Sequence, residues 1–220
     1  IMKLIVTPQI KKMGINVCMA IISGANISNR SASLEDLKKE AVKRMQTLDI
    51  SNNQILKGYK ELYDDAGIKG HKPPAEHLIT LIKSNGRLPN INTVVDCYNL
   101  VSAETFLSIG AHDTAHIKGD IIFKITDGSE KYTPLFENNP IEVSAGEYAC
   151  IDEDKIICRM DIKQCDETKI TKETKEFMVY VQGNKYVEFD YLQKALQKVC
   201  DLIKEICGGT YEIISETPAP

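Results

Sequence analysis

The sequence lacks any apolar stretch long enough to span a bilayer. Its most hydrophobic early run, Asn16 to Ile22, is far shorter than the roughly 20 residues a spanning helix needs and carries no cleavage pattern. The chain therefore reads as soluble, unexported and cytoplasmic. Also missing is a CxxC pair: seven cysteines stand singly at 18, 97, 150, 158, 165, 200 and 207. Metal sites bring tighter ligand pairs and secreted frameworks bring even counts, so reduced thiols acting as small core residues are expected. No metal and no cofactor are expected. Neither an internal repeat nor a low-complexity linker is present, and a GxSxG elbow is absent, which removes the most familiar covalent route to ester cleavage.

Excess positive charge is missing as well, since the net charge is −4. Its distribution is uneven: +4 over residues 1–70, −1 over 71–120 and −7 over 121–220. A polyanion has a place to dock in the first third without the whole protein being basic, although a solvated charged face gives the same count.

What is present has a clear order. Residues 2–7 and 16–23 are short β-branched runs and read as strands. Ser33 opens a helix carrying Leu34, Leu37, Ala41, Met45 and Leu48 at helical spacing, with Asp36 as capping partner. A second helix runs from Asn53 to Ala66 and a third from Pro73-Pro74 to Asn85-Gly86. A fourth begins after Pro89 and ends near Leu107. From residue 120 the period changes to two, predicting strands at 121–125, 130–134, 147–152, 155–160 and 177–182. Phe189 to Ile206 reads as a C-terminal helix closed by Gly208-Gly209, with a short strand at 211–214 and a Pro-bounded tail. Ile1 ahead of Met2 reads as a cloning remnant. Strands gathered after a helical block predict an α+β or layered fold in a single domain, 1–220. Residues 1–70 form its N-terminal part, 71–183 a core, and 184–220 a C-terminal helix and tail.

The fourth helix is the oddest part of the chain. Asn92, Asp96 and Asn99 are spaced four and three apart and share one face, beside the apolar Val94, Val95, Leu100 and Val101. Asn and Asp disfavour helix interiors because their side chains compete for backbone hydrogen bonds, so three on one face point to a task.

Several linked segments place this helix in a wider pattern. They are Pro74-Ala75-Glu76-His77-Leu78 and Leu88-Pro89-x-Ile91-Asn92-x-Val94-Val95-Asp96-x-x-Asn99-Leu100-Val101-Ser102, followed by Ile109-Gly110-Ala111-His112-Asp113. Beyond them lie Gly146-Glu147-Tyr148, Asp152, Cys158-Arg159 and Thr171-x-x-Thr174. In order and spacing, the stretch from Tyr59 to Gln182 resembles the B3/4 domain of the phenylalanyl-tRNA synthetase beta subunit, in stand-alone form. The resemblance implies a layered β-sandwich of unusual topology flanked by helices. It also implies a tRNA-associated module that hydrolyses mischarged aminoacyl-tRNA, as the synthetase domain removes misattached tyrosine. Synthetase motifs for aminoacylation are not recognisable.

By the resemblance, Asn99 lines the editing pocket. Gly110 stands where the synthetase has a pocket histidine, with His112 two residues on. The strand expected to supply an acidic pocket residue, 177–182, carries no carboxylate. Ester hydrolysis needs a positioned water and donors for the oxyanion, which Asn99 and His112 would supply, with Glu147 or Asp113 taking a proton. His112 and Glu147 are thus the catalytic candidates, and Asn99, Asp96, Gly110, Asp113 and Arg159 the substrate-binding ones. Structural roles compete for most of them. Asp96 and Asn92 are suited to bonding backbone amides, Asp113 to capping a turn, Glu147 to a strand edge, and Arg159 to pairing with a carboxylate instead of an RNA phosphate. His71, His77 and His116 read as surface residues. The partners expected are tRNA or charged tRNA and an amino-acid-like ligand. Two rival readings stay open: a non-catalytic module binding tRNA or an amino acid, and a small-molecule hydrolase or sensor that reuses the pocket.

Overall fold

The structure, a computed structural model, describes residues 2–218; Ile1 and the last two residues of the Pro-bounded tail lie outside it. Two β-sheets face each other, and helices cover the outer side of one of them. The first sheet runs β3 (Ser108–Asp113), β8 (Glu176–Gln182), β2 (Val17–Ser23) and β9 (Thr210–Ile214), antiparallel throughout. The second runs β10 (Glu216–Thr217), β1 (Leu4–Val6), β4 (Ile121–Ile125), β5 (Tyr148–Ile151), β6 (Ile156–Arg159) and β7 (Lys163–Gln164). Within it β1 lies parallel to both β10 and β4, while β4 to β7 form an antiparallel meander.

Alternation along the four-stranded sheet makes two cores. Ala20, Ile22, Val179, Val181 and Ala111 point to the helical side. There they meet α2 (Ala32–Met45), α4 (Pro74–Asn85), α5 (Thr93–Thr105) and α6 (Phe189–Cys207). Met19, Met178 and Tyr180 point the other way, into the space between the sheets, where Leu4, Phe123, Tyr148 and Ile157 meet them. Tyr59, Leu62 and Tyr63 of α3 (Gln54–Asp65) enter that second core from one end, and Ile10 of the short α1 (Pro8–Lys12) joins it. The architecture is the α+β layered sandwich with flanking helices that the resemblance implied. All seven cysteines are buried and free. Among the described residues no helix is long and apolar enough to cross a membrane.

Departures from the sequence reading have local causes. The segment Ile109–Asp113, where no strand is predicted, belongs to edge strand β3, because Ser108 to Asp113 pair residue for residue with β8. The strand expected at 130–134 is reduced to isolated bridges at Lys131, Tyr132 and Pro134. Pro134 has no N–H with which to continue a ladder. The helix expected from Ser33 starts at Ala32 with Ser31 as its extended N-cap.

Candidate functional site

Helix α5 is positioned from its first residue. Asn92 caps it, accepting a hydrogen bond from the Val95 amide at 3.0 Å and donating to the Ile170 carbonyl at 3.2 Å. Asp96 accepts from the Ile91 amide (2.9 Å) and from Lys38 Nζ (2.9 Å). Lys38 itself is buried, and its three N–H groups are shared among Asp96, Glu35 (3.0 Å), the Pro89 carbonyl (2.9 Å) and the Asn90 side chain. Together these bonds clamp the segment 89–91 between α2 and α5. The polar residues of the Asn/Asp helix thus divide their work. Asn92 and Asp96 fix the wall, and Asn99, half-buried, faces open space.

That space is a cavity of about 650 Å³ between α4, α5, the edge strand β3 and the β6–β7 turn. Asn99, Tyr98 and Val95 line it from α5, Leu78 and Leu81 from α4, and Gly110 and Tyr180 from the sheet. Pro89 and Ile91 form one rim, Leu135 another, and His71, Lys72 and His77 a third. Among the described residues the Asn99 side chain makes no hydrogen bond, which leaves its amide available. Gly110 is required by close approach: a Cβ there would lie 2.8 Å from Cε1 of the Tyr180 ring. The ring lies over the strand because no side chain stands in its way.

Other candidates lie elsewhere. His112 is fully buried behind Tyr180, with the rings stacked at 5.9 Å and 6° apart, and its Nδ1 is 2.7 Å from Thr168 Oγ1. Burial, helped by the Lys155 charge, pushes its pKa down to about 3, so it is neutral. It does not line the cavity, because its place on β3 is one strand repeat beyond Gly110. Buried Glu147 and half-buried Arg159 form a bidentate pair with N–O distances of 2.5 and 2.6 Å. That pairing takes both away from the cavity. Asp113 caps the single 3₁₀ turn Thr114–His116, accepting from the Ala115 amide (3.0 Å) and from Thr174 (2.6 Å). Asp96 is committed to Lys38. Of the seven candidates, Asn99 and Gly110 meet at the cavity, while Asp96, His112, Asp113, Glu147 and Arg159 do not.

The sequence reading missed the cavity's carboxylate. It is Asp161, from the turn between β6 and β7, where Met160 takes a left-handed conformation (φ 52°) and the chain reverses. Ser108 and Tyr63 donate to its Oδ2 at 2.5 and 2.9 Å, and Tyr148 donates to Oδ1 at 2.5 Å. Burial lifts its pKa above the usual carboxylate range, against the pull of the three hydroxyls. Ser108 is in turn fixed by Tyr59, whose hydroxyl accepts from the Ser108 amide (3.0 Å) and donates to the Gln182 carbonyl. A signal existed: Tyr59, Tyr63 and Tyr148 are large phenols at core positions, and buried phenols need acceptors. Nothing in the spacing, however, names Asp161 as the shared one. On the other side of the 87–90 segment, a second cavity of about 580 Å³ is lined by Arg30, Lys39, Lys43 and Arg87 together with Glu35, Asp36 and Glu40.

The B3/4 domain family is matched over residues 65–208, well over half of the chain. The chain belongs to the B3/4 domain family. It is 25% identical over 143 residues to the phenylalanine–tRNA ligase beta subunits of Vibrio parahaemolyticus and Vibrio vulnificus. Each match covers 54% of this chain and 18% of the relative, so the chain spans under a fifth of those subunits. In fold it is similar to the crystal structure of an N-terminal fragment of the phenylalanyl-tRNA synthetase beta subunit from Pyrococcus horikoshii. The TM-score is 0.57 at 15% identity, covering 99% of this chain and 52% of that one. The family match takes in α4, α5, β3 and Asp161, and hence most of the cavity wall.

Proposed function

We propose that this B3/4 protein receives the aminoacyl end of a charged tRNA in the cavity and hydrolyses the ester in trans. The observation that carries this reading is that Asn99, which the resemblance puts in the editing pocket, and Gly110, at the position of the synthetase's pocket histidine, line the same cavity. The cavity's size falls in the range of small-molecule sites, and its walls are largely apolar with a few convergent polar groups. Lys72, His71 and His77 at the mouth suit a phosphate-bearing strand. Phe136, next to the rim residue Leu135, is 82% exposed and offers a stacking face to a terminal base.

In the reaction, a water oxygen bonds to the ester carbonyl carbon and the bond to the ribose oxygen breaks. The water's proton passes to the departing ribose oxygen, leaving a free amino acid and an uncharged tRNA. Asn99 would donate to the oxygen that gains negative charge, with the Tyr98 and Tyr180 rings holding the acyl group. The ester is already activated, so positioning carries much of the work. A second reading, binding without turnover, is favoured by one observation: neither His112 nor Glu147 reaches the cavity.

The test is a panel of correctly and incorrectly charged tRNAs incubated with the protein, following release of amino acid together with RNA binding at two salt concentrations. Release above the spontaneous rate, with salt-weakened binding, supports hydrolysis. Binding alone supports the second reading, and absence of both overturns the tRNA assignment.

A further inference from the structure

Asp161 is 7% exposed and lines the cavity, yet among the described residues it has no ion-pair partner. Its neighbours are neutral donors: the hydroxyls of Ser108, Tyr63 and Tyr148. A carboxylate offers about four acceptor positions, and these hydroxyls take two on Oδ2 and one on Oδ1. Burial next to Asp161 raises both phenols far above the ordinary tyrosine range, so they stay protonated and keep donating. The three hydroxyls favour the anion against the cost of its burial and leave its charge without a compensating cation, at the edge of a space large enough for a ligand.

The other carboxylates near this region are satisfied. Asp96 has Lys38, and Glu147 has Arg159. A buried carboxylate without a cation is costly in a structural role alone, since its removal from water is not repaid by a partner charge. Two of its donors come from elements that are otherwise far apart in sequence, α3 and β5, so considerable structure converges on this one oxygen pair.

We propose that Asp161 docks a ligand's primary ammonium group, so that the cavity selects α-amino compounds whose side chain packs against the apolar wall. Leu78, Leu81, Val95 and Ile109 supply that wall, together with the Tyr98 and Tyr180 rings. The inference rests on the reading of the cavity as the seat of an aminoacyl group and adds which part of that group the protein grips. An ammonium at Oδ1 fills the acceptor position that the hydroxyls leave open. Asn99, which lines the same cavity from α5, is then the group left for the carbonyl.

The decisive probes are matched pairs that differ only in the amine: leucinamide against 4-methylpentanamide, and phenylalaninamide against 3-phenylpropanamide. Titration calorimetry on the unmodified protein at pH 7 is expected to give at least tenfold tighter binding of one amine than of its deaminated partner. In Asp161→Asn that preference collapses to within about threefold. Should Asp161→Asn fail to fold, the ligand pairs on the unmodified protein decide alone. Equal affinities within both pairs, or no binding by any member, overturn the proposal. To separate its failure from that of the tRNA reading, tRNA carrying an α-hydroxyacyl group is compared with its α-aminoacyl counterpart. Equal release from both keeps the hydrolase reading and removes the ammonium site. Amine preference without any release or RNA binding keeps the ammonium site and removes the tRNA assignment.

Discussion

Lys38 and Asp96 form a buried ion pair at 2.9 Å, and it holds the rim of the cavity. The same ammonium reaches the Pro89 carbonyl, and the same carboxylate accepts from the Ile91 amide. Replacing one partner leaves a buried charge alone. Lys38→Met is expected to lower unfolding stability by about 3–5 kcal/mol in denaturant titration. The double variant with Asp96→Leu should recover more than half of that loss. An effect under 1 kcal/mol for the single variant would contradict the clamp.

Gly110→Ala tests the close approach of strand and ring. The new methyl group meets Cε1 of Tyr180 at 2.8 Å, so the ring must turn or the strand must shift. A loss of about 1–3 kcal/mol is expected, the usual cost of overpacking. Because Tyr180 lines the cavity, ligand titration should weaken in the same variant, while a silent substitution would mean the ring is free to move.

His112 gives a pH signature. Its folded pKa, about 3, lies below its unfolded value near 6.5, so between those limits the unfolded state binds more protons. Its contribution to stability is therefore complete above pH 6.5 and is lost as pH falls toward 3. The slope it adds is up to about 1.4 kcal/mol per pH unit. Stability measured from pH 7 to 4 should fall less steeply in His112→Asn than in the unmodified protein; parallel curves would contradict a neutral buried imidazole.

Phe136 separates RNA contact from folding. With 82% of it exposed, Phe136→Ala should leave the denaturation midpoint within error. If a base stacks there, affinity for charged tRNA falls by about 1–3 kcal/mol in a filter-binding assay. Unchanged affinity removes the stacking contact.

Much of this protein was legible in its sequence, because periodicity reports burial. The change from helical spacing before Leu107 to alternation after residue 120 gave the helical layer and the meander β4 to β6. Edge strand β3 was hidden because Gly110 and His112 look like turn residues, and only pairing with β8 makes them a strand. In the site, Asn99 was legible as the odd polar residue of a helix. The partners of Asp96, Glu147 and Arg159 were not, since Lys38 is 58 residues from Asp96 and joins it only in three dimensions. Asp161 was the least visible, as its donors Tyr63, Ser108 and Tyr148 come from three separate elements or their ends.

The most direct test of the central claim is the first-order rate of amino-acid release from mischarged tRNA, measured for the unmodified protein and for Asn99→Ala. Asn99 is half-buried and makes no hydrogen bond among the described residues, so its loss should leave the melting temperature nearly unchanged. Loss of an oxyanion donor predicts a release rate about 10²–10³-fold lower. Equal rates for the two proteins, or no release above the spontaneous rate by the unmodified one, would contradict it.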